Sequence, residues 1–167
     1  MKKLFLLLST LALFSVSGLA QKQTAEKQNI NLLLDNWHKA AAEGNFNNYF
    51  NALSDESIFI GTDATENWDK KAFQDFAKPY FDKGKAWDFK PLQRNIFFSK
   101  DGKTAWFNEL LDTWMKICQG SGVLVKENGV WKIKHYVLSV TVPNDNISEV
   151  VKTKAPIEDA LIQKLKK

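Results

Sequence analysis

The stretch Gly61-Thr62-Asp63-Ala64-Thr65-Glu66-Asn67-Trp68 sets two carboxylates between a β-rich run, Ile58-Phe59-Ile60, and a helical pattern. An acid held half-buried at such a junction would titrate above its ordinary value, which suits proton abstraction. Much of the stretch also has a plain structural use. Gly61 allows a sharp exit from the strand, Asn67 can cap a helix, and Asp69 meets that helix's positive end. Asp63 and Glu66 are left over, and either can serve as a turn former instead.

Two further ionisable side chains interrupt apolar strand patterns. Along Thr104 to Lys116 one alternating set is Ala105, Phe107, Glu109, Leu111 and Thr113, so Glu109 stands among inward apolar neighbours. A buried carboxylate must be paired, protonated or functional. Arg94, on the preceding strand, is the structural partner on offer. Along the last strand Trp131, Ile133, His135, Val137 and Ser139 alternate on one face, which makes His135 a titratable candidate. His38 follows Trp37 on the first helix and is expected toward solvent or the helix flank, without a role.

Two separate histidines, with no HExxH and no close Cys/His cluster, give no metal site, and no cofactor is expected. Cys118 precedes Gln119-Gly120-Ser121-Gly122, but the strand-to-helix setting of a nucleophile elbow is missing. The glycines are read as a bulge or bend between long strands, and Cys118 as a small buried apolar residue. A single cysteine also rules out an intrachain disulfide. Asn146-Ile147-Ser148 is a formal glycosylation triplet of little weight.

These residues need elements to position them. Residues 1–20 read as a signal peptide: Lys2 and Lys3, an apolar run from Leu4 to Val16, then Ser17-Gly18-Leu19-Ala20 before the cut. The mature protein is therefore expected to be exported, periplasmic or secreted, with no membrane insertion after cleavage, since no later segment reaches the roughly 20 apolar residues of a spanning helix. The formal charge of the 167-residue chain is +4, and losing the two leader lysines brings it closer to neutral. That balance argues against nucleic acid as a partner.

Residues 21–145 are expected to form one domain and 146–167 a tail with a short helix behind Pro156. Ile30, Leu33, Leu34, Trp37 and Ala41 mark a first helix ended by Gly44; Phe46, Tyr49, Phe50 and Leu53 a second behind Asn45; Trp68, Ala72, Phe73, Phe76 and Tyr80 a third, starting near Asn67 and kinked or ended near Lys78 by Pro79. From Ala86 the period becomes two, in stretches Ala86 to Ser99, Thr104 to Lys116 and Ser121 to Val142, with hairpin turns at Asp101-Gly102 and Asn128-Gly129. Helices followed by a meander give an α+β domain, a curved, mostly antiparallel sheet wrapped on helices.

Three segments carry a family resemblance: FIGTDATENW (Phe59 to Trp68), AWDFKPLQRNIFFSKDGKTAWFNELLD (Ala86 to Asp112) and GSGVLVKENGVWKIKHYVLSVTVPND (Gly120 to Asp145). The chain from Asn29 to Pro143 resembles the SnoaL-like branch of the nuclear transport factor 2 superfamily. The resemblance implies a cone of three N-terminal helices and a strongly bent sheet, with the strand-to-helix junction of Asp63 near the pocket mouth and the His135 face toward the cavity. Many relatives carry a second histidine where this chain has Val137, so a paired-histidine mechanism is not implied. Candidate catalytic residues are Asp63, Glu109 and His135; candidate pocket residues are Trp37, Tyr49, Phe59, Trp68, Phe107, Trp131 and Val137. Binding of a small, largely apolar molecule is the leading expectation. The alternatives are a cofactor-independent isomerase, dehydratase or hydrolase using a pocket acid as general base with His135 or Tyr49 as donor, and a homodimeric association module using Trp106 and Trp114 on the outer sheet face.

Overall fold

The computed structural model describes residues 2–166, with side chains described for Gln21 and from Gln23 onward, so the expected leader, residues 1–20, falls outside the side chains described. Among the described residues no helix is long and apolar enough to cross a membrane. The elements run α1 (Lys2–Ala42), α2 (Phe46–Asn51), β1 (Leu53–Ile60), β2 (Asn67–Asp69), α3 (Lys70–Phe81), β3 (Lys90–Phe98), β4 (Thr104–Thr113), β5 (Lys116–Glu127), β6 (Val130–Val140) and α4 (Ile147–Leu165). The strands form one sheet in the order β2-β1-β6-β5-β4-β3, antiparallel except for the parallel pair β1 and β6. The helices α1 to α3 pack on its concave face, giving the α+β architecture the sequence predicts.

Local chemistry explains most boundaries. Gly44 ends α1 at φ +64, and the Asn45 N–H reaches back to the Ala40 carbonyl at 2.8 Å. Asn45 then caps α2 through its side chain, which accepts from the Asn48 N–H. At α3 the cap is Asp69, whose carboxylate accepts from the Ala72 N–H at 2.8 Å, two residues later than expected, because Asn67 and Trp68 are taken up pairing β2 with β1. Pro79 does not end α3. The helix runs on to Phe81, whose side chain is buried among Phe46, Tyr49, Phe50 and Trp87, and that packing outweighs one missing hydrogen bond.

In the sheet, Gly102, Asn128 and Gly129 have positive φ at the two expected hairpins. A third hairpin carries no glycine. Trp114 and Met115 join β4 to β5, Lys116 takes φ 70, and the Thr113 hydroxyl accepts from the Met115 N–H at 3.0 Å and donates to the Lys116 carbonyl at 2.8 Å. The break between strands expected at Gly120 to Gly122 thus falls at Trp114 and Met115 instead, and β5 runs through both glycines. They are there for clearance: a Cβ on Gly120 would come within 2.3 Å of the Tyr136 hydroxyl, and one on Gly122 within 2.5 Å of the His135 carbonyl. β3 begins at Lys90 rather than Ala86, leaving Trp87 in the connection.

One irregularity reassigns a whole face. Leu124 pairs with Ile133 but Val123 pairs with His135, so Lys134 is an extra residue in β6. Such a bulge shifts the alternation by one. Trp131, Ile133, Tyr136 and Leu138 are buried, while His135 and Val137 turn to the outer face and are half-buried there. The cone is filled by rings. Trp37 stacks on Tyr49 at 5.0 Å and meets Tyr136 edge-on at 4.7 Å, while Phe59 stacks on Phe73 at 4.0 Å. α4 buries none of its side chains.

Gly44 lies against a second turn. A Cβ on it would stand 2.5 Å from the backbone of Gly84, on top of its left-handed φ. Gly44→Ala is expected to cost more than the roughly 1–2 kcal/mol of the left-handed conformation alone, read as a lower urea midpoint with unchanged slope.

Candidate functional site

The two acids after β1 have different fates. Asp63 Oδ1 accepts from the Thr65 N–H at 2.8 Å and from the Thr65 hydroxyl at 2.6 Å, which closes a tight turn on the surface. The Thr65 hydroxyl and then its N–H hold the Asp63 carboxyl below its ordinary range. An exposed acid so tied is a turn former and a weak base. Glu66 folds back the other way. Its Oε2 accepts from the Asp63 N–H at 3.2 Å and lies over Gly61, where a Cβ would come within 2.1 Å of it. The turn thus presents the Glu66 carboxylate toward the interior edge of the sheet.

Glu109 is in the core, 2% exposed. Its Oε1 accepts from His38 Nε2 at 2.9 Å and from the Tyr136 hydroxyl at 3.2 Å. Its Oε2 accepts from Arg94 Nε at 2.8 Å, and Arg94 Nη2 lies equally close as an ion pair, though without hydrogen-bond direction. Arg94 Nη1 donates on to Asp35 at 2.8 Å and to the Asn31 side chain at 3.2 Å. Burial pushes the Glu109 carboxyl up, but the hydrogen bond and charge of His38, then the charge and hydrogen bond of Arg94, outweigh it and leave the group below its ordinary range. Burial pushes the Tyr136 phenol well up, and the Glu109 charge adds to that. The expected Arg94 partner is therefore present, directly across the β3–β4 ladder. His38 is 4% exposed, not on the solvent side, because the face of α1 that carries Leu34 and Ala41 turns it inward with them. The available signal was its spacing, four residues after Leu34 and three before Ala41, on the apolar stripe of α1.

Asp63, Glu109 and His135 do not converge: the first is on an exposed turn, the second in the core, the third on the outer sheet face. Among the predicted pocket residues, Trp37, Tyr49 and Phe107 are core filling, and Val137 faces outward with His135. Trp131 is covered by α1, its indole N–H donating to Glu26 at 2.7 Å. Phe59 and Trp68 do line an open space, a cleft of about 230 Å³ at the mouth of the cone.

One wall of this cleft is a set of rings from β2 and α3. Trp68 stacks on Phe76 at 4.5 Å, Phe73 on Trp87 at 5.9 Å, and Phe76 meets Tyr80 at 5.5 Å. The β4–β5 turn also lines the cleft, with Met115 half-buried and Trp114 83% exposed. Phe59, Phe89 and Leu138 form the base, and Thr62 and Glu66 the polar edge. The i, i+3, i+7 spacing of Phe73, Phe76 and Tyr80 was the available signal for the wall. Trp114, expected on the outer face with Trp106, belongs to the cleft instead, because the hairpin turns immediately before it. A wider groove of about 400 Å³ between α1 and α2 is lined by Asn36, Lys39, Glu43, Asn45, Asn48 and Asn51. It offers solvated amides and one surface ion pair, Lys39 with Glu43 at 3.6 Å, so the aromatic cleft is the stronger candidate despite its smaller size. Among the described residues no group of three His, Cys, Asp or Glu is placed to hold a metal ion.

The Glu109 cluster makes two predictions. Glu109→Gln removes the buried counter-charge that His38 and Arg94 share, leaving Arg94 only the more exposed Asp35, and is expected to destabilise by about 3 kcal/mol in urea unfolding. A carboxyl whose folded pKa is depressed stabilises fully above its unfolded pKa, near 4.3, and loses that contribution as the pH falls through the folded value. The parent protein should therefore lose stability below about pH 4.5, and the Gln variant should lose less over the same range.

A SnoaL-like domain model matches residues 30–143. No match is found among curated proteins. Among solved structures, an NTF2-like protein of unknown function from Pseudomonas putida superposes with TM-score 0.62 at 14% identity, covering 74% of this chain and 92% of that one. A proposed dehydratase of the NTF2-like family from Streptomyces avermitilis gives TM-score 0.63 at 8% identity, with 72% and 99% covered. The association domain of C. elegans CaMKII gives 0.59 at 19% identity, with 71% and 98% covered. At these identities the likeness is one of fold, an NTF2-like fold, and with the domain match spanning most of the chain, this protein belongs to the SnoaL-like domain family.

Proposed function

We propose that this is an exported binding protein that captures a small, largely apolar molecule in the cleft between α3 and the β4–β5 turn. The observation that carries the reading is the uncovered aromatic lining, in which Trp114, 83% exposed, joins Trp68, Phe76 and Trp87. Exposed aromatic surface lining a concave space is poorly solvated and gains most from an apolar guest. The volume, about 230 Å³, lies below the range of drug-sized sites and suits a small guest. Glu66 is the one acid among the lining residues and no histidine joins it, so the cleft supports capture better than general acid–base turnover. The leader-like residues 1–20 support export.

The test is a thermal-shift and tryptophan-fluorescence titration of the mature protein with indole and other small aromatic probes. Binding is expected to raise the melting temperature with probe concentration, and Trp114→Ala should weaken it about tenfold without lowering the stability of the free protein. Probe-independent melting and fluorescence would overturn the reading.

A second reading, association, rests on the outer sheet face. Phe97 and Trp106, each 46% exposed, stack there at 6.0 Å, and solved neighbours include association domains. If this face joins two copies, native mass spectrometry will show a dimer that Phe97→Ala with Trp106→Ala converts to monomer.

A further inference from the structure

We propose that the guest of the α3 cleft is a small organic cation of the alkylammonium type. This rests on the cleft being the binding site and specifies what it selects. Charge is the first observation. The chain carries 23 Lys and Arg against 19 Asp and Glu, yet among the described residues no lysine, arginine or histidine lines the cleft, and Glu66 is its one acid. Among the described ion pairs, none involves Glu66, so its charge is not neutralised by a protein cation.

The walls are the second observation. Trp68, Phe76, Tyr80, Trp87 and Trp114 line the space, and the negative faces of aromatic rings attract a cation within about 6 Å, tryptophan best. Lys83 Nζ, outside the lining, already stands 5.8 Å over the Tyr80 ring, so the tryptophans carry the attraction. A cation with alkyl groups satisfies both features, since its methyls fill apolar volume while its charge meets the rings and the carboxylate. A strongly hydrated metal ion gains little from such walls, and an anion would be repelled by them. The Gly61 to Asn67 turn holds Glu66 in position through its own hydrogen bonds, so the acid is preset before any guest arrives.

The experiment compares choline with 3,3-dimethyl-1-butanol, its uncharged carbon counterpart of the same shape, by calorimetry on the intact mature protein at low salt. Choline is expected to bind about tenfold or more tightly than the alcohol, and less so as salt is added. Glu66→Gln should weaken choline severalfold and leave the alcohol unchanged. Trp114→Leu keeps an apolar surface on an exposed turn but removes the π face, so it too should weaken choline selectively, and it remains informative if the Glu66 variant fails to fold. Equal affinity for choline and the alcohol would overturn the cation inference while leaving capture of a neutral guest intact, as would binding of indole with no binding of choline. Failure of choline, the alcohol and indole alike would overturn this inference together with the binding function it rests on.

Discussion

A carboxylate with almost no exposure, held by three partners from three different elements, sets the geometry of this domain. Glu109 belongs to β4, His38 to α1, Arg94 to β3 and Tyr136 to β6, and their hydrogen bonds meet on its two oxygens. An uncompensated charge at this depth would cost several kcal/mol, so the helix cannot slide along the sheet without exposing that penalty. Hydrophobic contact alone tolerates such sliding, because one apolar ring packs nearly as well as the next. The ion pair thus supplies registry between α1 and the sheet. The glycine opposite Glu109 belongs to the same arrangement, since any Cβ on Gly120 would collide with the Tyr136 hydroxyl and press on the Glu109 stem.

Satisfying this cluster has a consequence for the rest of the cone. Once Tyr136 turns inward to reach Glu109, the space beside it is closed by Trp37 and Tyr49, whose indole N–H and hydroxyl lack well-directed partners. Buried polar atoms without well-directed partners are costly, and they persist here inside a tightly stacked set of rings. The interior is therefore a packed support, and open volume moves outward to where α3, the connection before β3 and the β4–β5 turn come together. Glu109 and Trp114 sit on one strand and the turn that follows it, so the rigid interior and the exposed lining share a single element.

The legible parts of the sequence were those with strong local signals. Asp101-Gly102 and Asn128-Gly129 announce their turns because few residues other than glycine and asparagine tolerate positive φ. The alternation in β4 identified Glu109 as inward because nothing interrupts it. The parts that were not legible depended on one residue of phase or on tertiary pairing. A single extra residue at Lys134 exchanges His135 for Tyr136 on the inner face, and nothing in the composition of Lys132 to Tyr136 marks it. The Trp114–Met115 turn is stabilised by a threonine hydroxyl and not by glycine, so it looked like continuing strand. That His38 pairs with Glu109, 71 residues away, could be seen only in the fold.

The candidate cleft gains from this rigidity. Trp87 and Phe89 lie in a connection that would be free to move, but Gly84 is pressed against Gly44 and the Ala86 N–H donates to the Ala41 carbonyl at 3.0 Å, which ties the connection to the end of α1. Phe73 is clamped between Phe59 and Trp87, and Trp68 is held by β2 pairing with β1. Three sides are thus fixed before any guest arrives, which removes much of the ordering cost that weakens binding to mobile surfaces. The fourth side, Trp114 on its short turn, is the exposed one, so whatever selectivity the cleft has must come from how that indole meets the guest against a wall that does not yield.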